Sequence, residues 1–233
     1  MGAVIVAPPS ARQAVRLDHV RLAHGGRVVI NDLSGSFVPG SLTALIGANG
    51  TGKTTLLRAI AGLHSLAGGR IDGGGPRNVT LLPQGSQLDR GFPISCLDVV
   101  ALGAPRLGWF RAAGSAQRQA ACDAMARVGL AGLEGRVVQA LSAGQFQRLL
   151  FARAMLCDAP VILLDEPFTA VDATTTQTLL SVIKDWHRQG RTLIVVLHDM
   201  DLVRRHFPST LLLTGDGGSI WDATDAITPR LAA

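Results

Sequence analysis

The stretch Gly47-Ala48-Asn49-Gly50-Thr51-Gly52-Lys53-Thr54-Thr55 constrains this chain more than any other. The apolar run Leu42 to Ile46 before it reads as a strand, and Leu56 to Leu63 after it reads as a helix. A glycine-rich turn in that context is built to hold phosphate. Its glycines let backbone N–H groups turn inward around an anion, Lys53 supplies a point charge for terminal phosphates, and the Thr54 hydroxyl can coordinate Mg2+. The helix N-terminus adds unpaired N–H groups and partial positive charge. An ordinary strand-to-helix turn would need neither the lysine nor the threonine. A nucleotide site over Gly47, Asn49, Gly50, Thr51, Gly52, Lys53, Thr54 and Thr55 is therefore expected.

Composition narrows the remaining choices. With 233 residues, a single α/β domain spanning 1–233 with an inserted subdomain is expected. Although 47% of residues are hydrophobic, the longest apolar runs, such as Val161 to Leu164 and Leu193 to Leu197, fall far short of the roughly 20 residues a spanning helix needs. Met1 to Ser10 lacks a positive leader and breaks at Pro8-Pro9, so no signal peptide is expected and the chain should stay on the cytoplasmic side. Cys96, Cys122 and Cys157 show neither metal-ligand spacing nor an even disulfide set. The net charge of +5 comes almost entirely from scattered arginines, with no Tyr, seven Phe and three Trp for base stacking, so nucleic acid binding is not expected.

Along the chain, Val15 to Ala23 alternates as a strand with one irregularity at Asp18-His19, and Gly25-Gly26 makes a turn. Val28 to Ile30, Leu33 to Val38 and Leu42 to Ile46 read as short strands, so an antiparallel β layer is expected to lead into the phosphate loop. Arg70 to Asp72 is a brief strand among glycines, and Val79 to Leu82 a buried one. Residues 85–155 change character: strand signals give way to helical patterns at Ser95 to Leu102, Ser115 to Val128 and Gly144 to Met155, an inserted helical subdomain. Alternation resumes with a strand Val161 to Leu164, a helix Ala173 to Gln189, a strand Thr192 to Val196, a helix Met200 to His206, a strand Ser209 to Leu213 and a weak hairpin near Gly215 to Trp221.

Two further stations carry chemistry. Val161 to Leu164 runs into Asp165-Glu166 at a strand's carboxyl end, where α/β sheets bind ligands. With a phosphate loop upstream, Asp165 fits the Mg2+ shell, and Glu166 is placed to polarise a water aimed at the terminal phosphate. Leu141-Ser142-Ala143-Gly144-Gln145 opens a helix with Ser142 as N-cap. It reads either as a plain cap or as a second anion site at a helix N-terminus.

The phosphate loop, Gln84, Leu141 to Gln145, Asp165-Glu166 and His198 stand in an order that, over nearly the whole chain, resembles the ATP-binding subunits of ABC transporters. The resemblance implies a P-loop NTPase (RecA-like) core with an N-terminal antiparallel β layer and the inserted helical subdomain. It implies ATP and Mg2+ as ligands and a site shared by two copies of the chain, with Ser142, Gly144 and Gln145 of one closing over the nucleotide of the other. By the same resemblance Gln84 links Mg2+ and the attacking water to the helical subdomain, Glu166 is the general base, His198 contacts the terminal phosphate, and Asp172 belongs to a loop communicating across the pair.

Two departures stand out: Ala143 replaces the family's usual glycine, with activity expected to survive, and His24 stands where the family usually stacks a tyrosine on adenine. Gln84 to Asp89, Phe92-Pro93-Ile94, Asp98-Val99-Val100 and Glu166 to Asp172 are similar to the zinc and manganese importer branch, zinc being favoured narrowly. That branch implies a separate transmembrane permease, an extracytoplasmic metal-binding protein, and a place on the cytoplasmic face of the plasma membrane. Leu88, Phe92, Pro93, Trp109 and Phe110 are candidates for the permease-docking groove, with subdomain core the competing reading. Iron, haem or siderophore import, a soluble ABC switch acting on DNA or ribosomes, and a P-loop kinase are the alternatives. The switch proteins carry coiled-coil insertions or two cassettes, absent here, and a kinase leaves Leu141 to Gln145 and His198 unexplained.

Overall fold

A computed structural model of the chain describes residues 14–84, 91–104, 114–169 and 171–226. Leu88, Trp109 and Phe110 lie outside them. The strands β1 (Val15–His24), β2 (Arg27–Phe37) and β4 (Gly68–Asp72) form an antiparallel sheet in the order β2-β1-β4. A second sheet runs β5-β6-β7-β3-β8-β9, where β3 is Leu42–Gly47, β5 Val79–Leu82, β6 Val161–Asp165, β7 Thr192–Val196, β8 Ser209–Leu213 and β9 Ser219–Ala223. Its first five strands are parallel, and β9 closes the edge as an antiparallel hairpin with β8.

Two expectations need correction. Val28 to Ile30 and Leu33 to Phe37 are parts of one continuous strand, β2, which stops one residue short of Val38, because Asn31-Asp32 sits on an exposed stretch where polar side chains cost nothing. Asp32 there pairs with His19 at 3.1 Å, at the irregularity of β1 where His19 takes φ 49°. Leu42 to Ile46 does not continue the antiparallel layer. It is an inner strand of the parallel sheet, its residues 42–46 all buried, as a strand covered on both faces must be.

The alternation of side chains along the parallel strands builds two cores. Val161 and Leu163 of β6, with Ile194 and Val196 of β7, face the helix α1 (Lys53–Ile60) and the antiparallel sheet. Ile162, Leu164, Leu193 and Val195 face the helices on the other side. α1 is thus wedged between the two sheets, with Leu56, Leu57 and Ile60 fully buried. At about 1.5–3 kcal/mol for each such side chain, this burial fixes the helix that begins at the phosphate loop. Trp221 of β9 ties the two sheets together at one edge, its ring 4.8 Å edge-on from Phe37.

Between β5 and β6 the described residues form helices α2 (Cys96–Ala101), α3 (Ser115–Arg127) and α4 (Ala143–Met155) and a 3-10 turn at Val138–Ala140. They are followed beyond β6 by α5 (Ala173–Arg188) and α6 (Met200–His206). No helix among the described residues is long and apolar enough to cross a membrane.

Candidate active site

In a parallel sheet the carboxyl ends of the strands share one edge, and this edge collects the predicted residues. Gly47 ends β3, Asp165 ends β6, Gln84 follows β5 and His198 follows β7. A cleft of about 570 Å³ there is lined by His24, Val29, Asn49, Gly50, Gly52, Lys53, Thr54, Thr55, Gln84, Glu166 and His198.

The loop itself is rigidly specified. Gly52 takes φ 95° as the N-cap of α1. A methyl on Gly47 would lie 2.6 Å from the Leu213 carbonyl oxygen and 2.9 Å from Thr51 Oγ1. Thr51 Oγ1 donates to the Ala48 carbonyl at 3.0 Å. Gly47 and Thr51 shape the loop from behind and do not line the cleft. Lys53 Nζ donates to the Gly47 and Ala48 carbonyls at 2.7 and 2.9 Å, which parks the ammonium beneath the loop. Burial lowers its pKa, opposed by the nearby charges of Glu166 and Asp165.

Asp165 is 4% exposed. Burial raises its pKa, and the Thr54 hydroxyl bonded to the carboxylate works the other way. Its Oδ1 is buried with no hydrogen-bond partner. An orphaned carboxylate oxygen beside a hydroxyl is a hard-oxygen donor set, so the residues fit Mg2+.

Glu166 sits with φ 50°, a left-handed conformation that costs a glutamate about 1–2 kcal/mol. Both its oxygens are engaged. Gln84 Nε2 donates to Oε2 at 3.0 Å, Thr169 Oγ1 donates to Oε2 at 3.2 Å, and His198 Nε2 reaches Oε1 at 2.7 Å. Val29 and Thr169 were not among the residues expected from the sequence. The signal for Val29 was its place just past the Gly25-Gly26 turn, which folds β2 back beside His24. Thr169 lies in the run Glu166 to Asp172 that the sequence singles out, but nothing there pointed to this contact, because it depends on the left-handed turn at Glu166.

His24 lines the cleft at the end of β1, its ring 6.3 Å from that of His64, which in turn bonds the Ala23 carbonyl at 2.9 Å. Ser142, Gly144 and Gln145 are not in the cleft. Ser142 Oγ accepts from Gln145 N–H at 3.2 Å and Gln145 Oε1 accepts from Ser142 N–H at 3.0 Å, a complete capping box on α4. A methyl on Gly144 would meet nothing closer than Thr175 Oγ1 and Val171 Cγ1, both at 4.0 Å. This chain's own packing does not require glycine there. Asp172 caps α5, accepting from Thr175 N–H at 2.8 Å, and these bonds hold its carboxyl below the usual range.

Comparison with known proteins follows the same lines. The ABC transporter family model matches residues 30–169. The zinc transport system ATP-binding protein TroB of Treponema pallidum is 39% identical over 86% of this chain and 78% of its own. The manganese transport system ATP-binding proteins MntB of Bacillus subtilis and Listeria monocytogenes are 35% and 32% identical, each over 85% of this chain and over 82% and 86% of their own. Among solved structures, one described as an inward-facing conformation of a metal-chelate-type ABC transporter superposes with TM-score 0.78, at 27% identity, covering 92% of this chain and 84% of that one. The dimeric structure of a bacterial ABC transporter cassette, at 22% identity and TM-score 0.75 over 89% of this chain and 98% of its own, shares the P-loop NTPase fold. A parallel sheet ending in a phosphate loop and this identity to transport ATPases over most of the chain agree: it belongs to the ABC transporter family, as one of its ATPases.

Proposed function

We propose that this chain powers the import of a divalent metal, zinc first and manganese next, through a separate transmembrane permease. The observation carrying the catalytic part of this reading is Glu166. Its carboxylate is gripped at both oxygens where the ends of β5, β6 and β7 meet, beside the loop that would hold the phosphates. The cargo reading rests on relatives named for zinc and manganese transport.

In this reading ATP enters the cleft with its base against His24 and its phosphates along Asn49, Gly50, Gly52, Thr54 and Thr55. Lys53 exchanges two loop carbonyls for phosphate oxygens. Thr54, Gln84 and Asp165 would hold Mg2+, which would offset charge on the terminal phosphates. Glu166 takes a proton from water as that water attacks the terminal phosphorus, and His198 contacts the phosphate that is released. Ser142, Gly144 and Gln145 act on the nucleotide held by a second copy. A two-fold pair carries both reciprocal contacts on one surface.

Residues 85–155 serve as an inserted helical subdomain of a single domain, 1–233, and receive the permease. Phe92, 71% exposed, and its neighbour Pro93 are the described apolar residues offered for that contact. The chain then works at the cytoplasmic face of the plasma membrane, peripheral through the permease, and an extracytoplasmic metal-binding protein supplies the cargo. The test is uptake of labelled zinc, manganese and iron into cells making this chain together with its permease. Zinc uptake abolished by Lys53→Ala is the expected result. Iron uptake alone, or uptake indifferent to Lys53→Ala, would overturn the reading.

A further inference from the structure

The three side chains on Glu166 are not equivalent. Gln84 and His198 line the same cleft as Lys53 and Thr54, so a nucleotide and its metal compete with the carboxylate for both of them. Thr169 does not line that cleft. It lines the adjoining recess of about 460 Å³, which Glu166 and His198 also border, away from the loop that would hold this chain's own phosphates. It is also bound into the same turn as the residue it holds. Thr169 N–H donates to the Glu166 carbonyl at 3.3 Å while Thr169 Oγ1 donates to Oε2 at 3.2 Å. That turn contains the left-handed Glu166, so it cannot relax without moving the carboxylate.

We propose that Thr169 is a positioning residue for ATP hydrolysis: its hydroxyl keeps Glu166 Oε2 in place after Gln84 and His198 move to the nucleotide, leaving Oε1 facing the attacking water. This rests on the reading of Glu166 as the base. In the step itself Oε1 accepts a proton from the water, the water oxygen bonds to the terminal phosphorus, and the bond from that phosphorus to the bridging oxygen breaks. ADP departs with those electrons, and the carboxylic acid later returns its proton to solvent. Thr169 remains a donor throughout and exchanges no proton. Without it the terminal torsion of Glu166, broad and roughly two-fold, is free to turn. Turnover then falls because fewer encounters present an oxygen to the water, while nucleotide contacts stay as they were.

The experiment uses the full chain with Thr169→Val, which keeps the shape and loses the hydroxyl, and Thr169→Ser, which keeps the hydroxyl. Steady-state hydrolysis and the affinity for a fluorescent ATP analogue are read for each. The expected result is a kcat about tenfold lower for Thr169→Val, the scale of one lost hydrogen bond to a charged group. KM and analogue affinity stay within about twofold, and Thr169→Ser recovers most of the rate. Thr169→Val should slow Glu166→Gln no further, because the base it positions is already gone. Wild-type turnover in Thr169→Val, equal slowing in Val and Ser, or a KM rising with the fall in kcat would each overturn the inference. Undiminished turnover in Glu166→Gln would remove the base itself. A slow Glu166→Gln beside a fast Thr169→Val would remove only the role of Thr169.

Discussion

Gly144→Ala separates what this chain needs for itself from what it needs for a partner. The position is the second residue of α4, has ordinary helical backbone, and leaves 4.0 Å to the nearest side-chain atoms for an added methyl. Alanine in a helix is worth about 0.5–1 kcal/mol over glycine, with the lower figure apt for a first turn. At about 2–4 °C per kcal/mol for a chain of this size, the melting temperature of the nucleotide-free protein should rise by about 1–2 °C. If a second copy presses its nucleotide against this turn, each pair gains two methyls where backbone must approach phosphate. Overpacking of about 1–3 kcal/mol per methyl makes about 2–6 kcal/mol per pair, a dimer dissociation constant weaker by about thirtyfold or more. Scanning fluorimetry gives the first number, and light scattering with MgATP in a Glu166→Gln background gives the second. A higher melting temperature with unchanged dimer affinity would show that no partner approaches Gly144. A lower melting temperature would show that the glycine is packed within its own chain.

Two further outcomes are expected. His24→Ala should weaken ATP binding about fivefold, the low end of an aromatic–base stack, and His24→Trp should strengthen it; unchanged affinity by calorimetry would remove His24 from the base site. Burial raises the Asp165 pKa, so the folded state disfavours the ionised form. That penalty is absent below the ordinary carboxylate range and grows as pH rises through the raised value. In EDTA, Asp165→Asn should therefore melt with the wild type at acid pH and above it at neutral pH, while losing the stabilisation that MgATP gives the wild type. Equal melting across the range would contradict the burial account.

Much of this was legible because phosphate chemistry demands particular residues in order. Gly47 to Thr55 announces a loop, and the run from Val161 into Asp165-Glu166 announces a strand that ends at a ligand. The lengths of β6, β7 and α5 follow from apolar runs and from the cap at Asp172. What stayed hidden depends on pairing and on backbone shape. Asn31-Asp32 looks like a turn, yet it lies inside β2 because its neighbours pair with β1. Leu42 to Ile46 has no alternation to distinguish its sheet partners, and only β7 and β8 on either side decide it. Thr169 reaches Glu166 through a left-handed glutamate, and no residue type signals that conformation in advance.

The claim that the phosphate loop is half a site has a direct test in Glu166→Gln. Loss of a positioned base should slow hydrolysis by about a hundredfold or more without weakening ATP binding. The account predicts that light scattering then gives the mass of two chains with MgATP and of one chain with ADP or no nucleotide. A single-chain mass with ATP bound, together with undiminished turnover, would contradict it.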